Sequence, residues 1–187
     1  MRRAALFLAV CAIEVGGAPY RPSGALAAQT PAPAASQLLV DSGVRVAARQ
    51  HKAVLVLFSA SWCVWCRQFD DLLADTSVGP ILASHYVTIQ LVTLEIPQRK
   101  ALENPGSAAL MTSLGGDGNS LPFFAVLDSA GRKVGDSNIM PGGGNVGFPS
   151  APEEVAAFDR LIARTAPGAT ATERARIRAY LNRVAGR

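Results

Sequence analysis

The feature that most constrains this chain is the run Phe58-Ser59-Ala60-Ser61-Trp62-Cys63-Val64-Trp65-Cys66-Arg67-Gln68, which directly follows the apolar stretch Ala53 to Leu57. A continuous Val- and Leu-rich run over Ala53 to Ser59 predicts a strand buried on both faces. A helix is predicted from about Cys63 to Ala74, with Phe69, Leu72 and Leu73 on its inner side. The two cysteines therefore fall where strand gives way to helix. At a helix N-terminus, unpaired backbone N–H groups and the macrodipole favour a thiolate over a thiol. The thiolate is the attacking species in disulfide exchange. A disulfide closed over only two intervening residues removes little entropy from the unfolded chain, so it is a poor structural staple. The pair reads as catalytic, with Cys63 and Cys66 opening and closing by exchange.

The chain of 187 residues has room for one domain and a leader. Arg2 and Arg3 precede an apolar stretch from Ala4 to Ile13, and small residues dominate from Gly16 to Ala28. With the site Ala25-Leu26-Ala27, this predicts a secretory signal peptide over 1–27, and hence a periplasmic or otherwise exported protein. The alternatives are an uncleaved anchor or an ordinary N-terminal helix. An apolar stretch of about ten residues is too short to span a bilayer unaided, so membrane attachment is not favoured. Leu8-Ala9-Val10-Cys11 resembles a lipoprotein box only weakly, because Val10 is bulky. Losing Arg2, Arg3, Arg21 and Glu14 takes 18 basic and 14 acidic residues to 15 and 13, and the net charge from +4 to +2. No basic stripe interleaved with aromatics is present, so no nucleic-acid partner is expected. Cleavage also removes Cys11, leaving Cys63 and Cys66 as the only thiols.

Residues 28–36 read as a disordered linker and 37–187 as the folded domain. A first helix over Gln37 to Lys52 is expected to be broken or weakened at Gly43. After the cysteine helix, Gly79-Pro80 introduces a further helical turn or two, and Tyr86 to Leu94 favours a strand ended by Pro97. A short helix is predicted from Gly106 to Leu114, and a hairpin from Phe123 through Asp128-Ser129-Ala130-Gly131 to Gly135. Pro141 to Pro149 reads as a loop. Ser150-Ala151-Pro152-Glu153 and Thr170-Ala171-Thr172-Glu173 read as capping boxes for two final helices. The fold class is α/β, a central mixed sheet flanked by helices, with a C-terminal helical extension expected to pack against the sheet.

This order, with Trp62-Cys63-x-x-Cys66 after the first central strand and Leu121-Pro122 before the hairpin, resembles the thioredoxin-like family. The segment Ala60 to Arg67 is similar to exported members and to the C-terminal domain of thiol:disulfide interchange proteins. The resemblance implies that Cys63 is the nucleophile and Cys66 the resolving thiol. It implies that Trp62 packs beside the pair, that Pro122 is a cis-proline facing it, and that Leu121 offers its backbone to a bound peptide. Thiol- or disulfide-bearing protein substrates and an upstream redox partner follow, with no cofactor. Family members commonly carry a buried acid six positions before the first cysteine, where this chain has Leu57. Glu95 is the candidate replacement for proton transfer, its plainer reading being a solvated carboxylate at a strand end. Trp65 reads either as a docking surface or as a capping contact, and Arg67 either as a source of positive potential or as a solvated side chain.

Two other functions compete. Two soft thiolates can hold copper or zinc, but a structural zinc site takes four ligands, and His51 and His85 lack the spacing to supply the rest. No metal is therefore assigned. A redox-silent interaction module is the other alternative, and retention of both cysteines argues against it.

Overall fold

The computed structural model describes residues 34–185. The expected signal peptide, Cys11 and most of the expected linker lie outside these residues. Ala35 and Ser36, placed in the linker by sequence, form the first turn of helix α1, Ala35–Gln50. The helix runs unbroken through Gly43. A Cβ there would lie 2.7 Å from Cγ1 of Ile89, so this glycine lets the helix sit directly on the sheet. Close packing, not a break, explains the residue.

Strand β1, Ala53–Ser59, leads to α2, Val64–Ala74, then to α3, Gly79–His85, and β2, Tyr86–Val92. A short 3-10 helix, Pro97–Leu102, and α4, Ser107–Ser113, connect to the hairpin of β3, Phe123–Leu127, and β4, Lys133–Asp136. Helices α5, Pro152–Thr165, and α6, Ala171–Ala185, complete the described chain. The sheet order is β2-β1-β3-β4, with β1 parallel to β2 and antiparallel to β3, and β3 antiparallel to β4.

Successive residues of a strand face opposite sides, and β1 divides cleanly on that rule. Val54, Val56 and Phe58 join the core beneath α1 and α4, with Leu91, Met111, Phe123 and Ala125. Leu55 and Leu57 face the other layer, with Phe69, Leu72, Phe124, Phe158 and Leu161. Leu57, at the position of the family's acid, is an ordinary core side chain. Rings of Phe69, Phe124 and Phe158 meet at 5.5 to 6.4 Å, mostly edge-on, and bind α2 and α5 to the sheet. Such pairs add about 0.5–1.5 kcal/mol each beyond burial.

The two late helix starts differ. Thr170 and Glu173 form a reciprocal box: Glu173 N–H donates to the Thr170 hydroxyl, and Thr170 N–H donates to the Glu173 carboxylate. The earlier start is displaced by one residue from the predicted Ser150/Glu153 box. Its N-cap is Ala151, and Glu154 accepts from the N–H groups of Ser150 and Ala151. Alanine has no side-chain oxygen to complete the exchange. Helix α6 packs on α5, where Asp159 receives Arg178 at 2.8 Å and Arg174 at 3.3 Å. Its Ile177, Tyr180 and Leu181 join the same core as Leu55, Leu57, Phe124 and Val126 of the sheet. Among the described residues, no helix is long and apolar enough to cross a membrane.

Candidate active site

Chain direction places the site. β1 delivers the backbone to the turn Ala60-Ser61-Trp62, where Cys63 N–H donates to the Ala60 carbonyl at 3.1 Å. Cys63 is the N-cap of α2, and its sulfur accepts the N–H of Cys66 at 3.1 Å. That bond directs an orphan donor of the first helical turn at the sulfur, as the sequence pattern anticipates. Cys63 and Cys66 form a disulfide with a Cα separation of 5.3 Å. The Leu121-Pro122 peptide bond is cis, and Leu121 packs against Ala60, Cys63 and Cys66.

The cysteines are more covered than a reachable sulfur implies: Cys63 is 3% exposed and Cys66 2%. Ala60 and Leu121 pack against the pair and supply its cover. The flanking side chains stand out instead, with Trp62 45% and Trp65 53% exposed.

Each tryptophan is held from a different side. The Trp62 indole N–H donates to the Leu94 carbonyl at 2.8 Å. Leu94 has φ 56°, a left-handed conformation uncommon for a branched side chain. Trp65 stacks on Phe148, centroids 6.4 Å apart and planes at 20°, so it has a packing partner as well as an exposed face. Trp65, Gln68, Asp71, Phe148, Tyr180 and Val184 line a groove of about 520 Å³ beside α2.

Sequence placed Glu95 at a strand end in solvent. It is 4% exposed, with its carboxyl oxygens accepting the Ser61 N–H at 2.5 Å and the Ser61 hydroxyl at 2.9 Å. Arg99 Nη1 donates to the Ser61 hydroxyl at 2.8 Å, and Arg67 Nη1 to the Ser61 carbonyl at 3.4 Å. Arg67 is thus tied to the turn rather than freely solvated. The Glu95 N–H donates to Glu103, which Lys100 also reaches.

Asn145 and Phe148 were not singled out by sequence. The Asn145 amide donates to the carbonyl of Pro122 at 3.1 Å and of Ser120 at 3.4 Å. Gly147, with φ 60°, would place a Cβ 3.3 Å from Pro122. An asparagine and a lone phenylalanine after three glycines were the available signal.

His51 caps α1 just before β1 begins, and His85 ends α3 just before β2 begins. The cysteines follow the far end of β1. Seven strand residues, roughly 20 Å, separate the two sets, so the fold does not bring them together as a ligand group. Among the described residues, no group of three or more His, Cys, Asp or Glu is placed to hold a metal ion.

A family model described as thioredoxin-like matches residues 35–129. No curated protein matches the chain. Among solved structures, a disulphide isomerase from Xylella fastidiosa Temecula1 is 17% identical, with 86% of this chain and 98% of that chain covered and a TM-score of 0.49. The oxidised C-terminal domain of DsbD from Neisseria meningitidis is 19% identical, with 56% and 84% covered and a TM-score of 0.38. A thioredoxin from Thermus thermophilus is 19% identical, with 68% and 88% covered and a TM-score of 0.36.

Proposed function

The chain belongs to the thioredoxin-like family, and from that premise we propose that it is a thiol:disulfide oxidoreductase acting on exported proteins. The observation that carries this reading is the Cys63–Cys66 disulfide at the start of α2, with the Cys66 N–H on the Cys63 sulfur and cis-Pro122 alongside. In the reducing direction, the Cys63 thiolate attacks one sulfur of a client disulfide. The client S–S bond breaks, a mixed disulfide forms, and one client thiolate leaves. The Cys66 thiolate then attacks the Cys63 sulfur, the second client thiolate departs, and two electrons have moved to the client. An upstream dithiol protein restores the reduced pair. The same steps run backwards oxidise a client dithiol.

Leu121 supports the peptide-binding half of the reading. Among the described residues, neither its N–H nor its C=O is used by the fold, so both are open to an extended substrate strand. Exposed Trp62 and Trp65 give that strand apolar surfaces on either side. Export rests on the basic-then-apolar leader and fits a pair that works as a disulfide.

The test is insulin reduction driven by dithiothreitol. Wild-type protein accelerates it, Cys63→Ser abolishes the acceleration, and Cys66→Ser accumulates a mixed disulfide at Cys63. No acceleration by wild type, in either direction of exchange, overturns the proposal.

A further inference from the structure

Glu95 is the one buried carboxyl group at the edge of the site, among the described residues, that the exchange steps above do not use. Burying a carboxyl is costly unless each oxygen is satisfied. Here both oxygens are spent on one residue, Ser61, which lies 34 positions earlier in sequence and two before Cys63. Every polar atom of Ser61 is engaged: N–H and hydroxyl to Glu95, hydroxyl oxygen from Arg99, carbonyl from Arg67. The next residue, Trp62, is bonded to Leu94, the immediate neighbour of Glu95. Glu95 itself is fixed through its N–H to Glu103. The short segment Leu94-Glu95 therefore grips both residues that precede the nucleophile.

We propose that Glu95 is a positioning residue, which through Ser61 fixes the turn that presents Cys63 and the Trp62 ring to a client. A purely structural acid would only need to satisfy itself. This one is connected to the single stretch of backbone between the end of β1 and the N-cap sulfur. Loss of that hold leaves Ser61 without its buried acceptor and lets Ser61-Trp62 sample other conformations. The Cys63 sulfur then meets a client disulfide in the attacking geometry less often. The inference rests on the proposed exchange activity for its functional meaning, while its geometric content stands apart.

The experiment uses the mature chain with Glu95→Ala, Glu95→Gln and Ser61→Ala, all well below their Tm. Three quantities are measured: exchange with insulin, alkylation of Cys63 by iodoacetamide across acid to neutral pH, and Trp62 emission in a Trp65→Phe background. Glu95→Ala is expected to slow exchange about tenfold, equivalent to ~1.4 kcal/mol, to move the alkylation profile and to shift the Trp62 emission. Glu95→Gln, which keeps one oxygen for the Ser61 N–H, recovers part of the rate. Wild-type exchange, alkylation and emission in Glu95→Ala, with only Tm lowered, overturn the proposal. Should Glu95→Ala fail to fold, Ser61→Ala decides, because it removes the hydroxyl's bonds to Glu95 and Arg99 and leaves the backbone N–H on Glu95; unchanged exchange and emission there overturn the proposal equally. If wild type itself shows no exchange, the oxidoreductase reading fails, and alkylation and emission still judge the positioning claim.

Discussion

The two flanks of the cysteine pair are held by different physics. On the Trp62 side, Ser61, Glu95, Arg99 and the Leu94 carbonyl form a set of short directional bonds. On the Trp65 side, the 145–148 strap works mainly by shape. Phe148 is buried between Trp65, at 6.4 Å, and the edge of Phe69, at 6.2 Å, and Gly147 approaches Pro122 where a side chain does not fit. Directional bonds fix a backbone turn and are lost one group at a time. Packed rings fix a surface and are lost by volume. On the proposed mechanism the first flank sets how Cys63 is presented to a client, and the second sets how firmly α2, cis-Pro122 and the C-terminal half are joined.

The strongest challenge to that division is Phe148→Ala. Removing a buried ring that touches two others is expected to cost about 3 kcal/mol, read as a fall in denaturant midpoint. Exchange measured well below the new Tm should fall less than in Glu95→Ala; an equal fall would mean both flanks present the nucleophile, and the division would not hold. Gly147→Ala comes next. A φ of 60° costs a residue with a side chain about 1–2 kcal/mol, and the added methyl also presses on Pro122. Asn145→Ala removes a bond to the Pro122 carbonyl and is expected to cost about 1 kcal/mol. Its signature is a modest midpoint shift with Trp62 emission unchanged, since nothing on the polar flank has moved.

Much of this arrangement is legible in the order of residues alone. The apolar run into Trp62-Cys63-x-x-Cys66 locates β1, the N-cap cysteine and α2, because a strand-to-helix junction is written in adjacent residues. Pro122 and the hairpin are legible for the same reason. Glu95 is not, because nothing near residue 95 says that its carboxyl will meet an N–H from residue 61. Its neighbours Leu94 and Ile96 are what a strand end in solvent also shows. Gly43 misleads in a related way: a glycine inside a helix reads as weakness, and only the nearness of Ile89 shows it to be a contact. The Ser150 box slips by a residue because two acids, Glu153 and Glu154, follow in succession and the sequence does not say which turns back. The cover over Cys63 depends on Leu121, 58 positions away, and local pattern carries no trace of it.

The division of labour also predicts which flank responds to acid. Glu103 holds the Glu95 N–H, and its carboxyl lies below the usual glutamate range, first because Lys100 hydrogen-bonds it and then because of that same N–H. A carboxyl whose folded pKa is depressed contributes stability that is present above the unfolded value and disappears as pH falls through the folded one. The polar flank should therefore loosen as pH drops from the ordinary glutamate range downward, while the ring contacts of Trp65 and Phe148 contain nothing to titrate. Glu103 is partly exposed, and its partner Lys100 is more so, so solvent screening keeps the effect small. Trp62 emission in Trp65→Phe, followed against pH, is expected to change over that window, and Glu103→Gln is expected to flatten the change. An acid transition that survives Glu103→Gln intact would place the sensitive group elsewhere on this flank. One that appears equally at Trp65, observed in a Trp62→Phe background, would show that the two flanks move together.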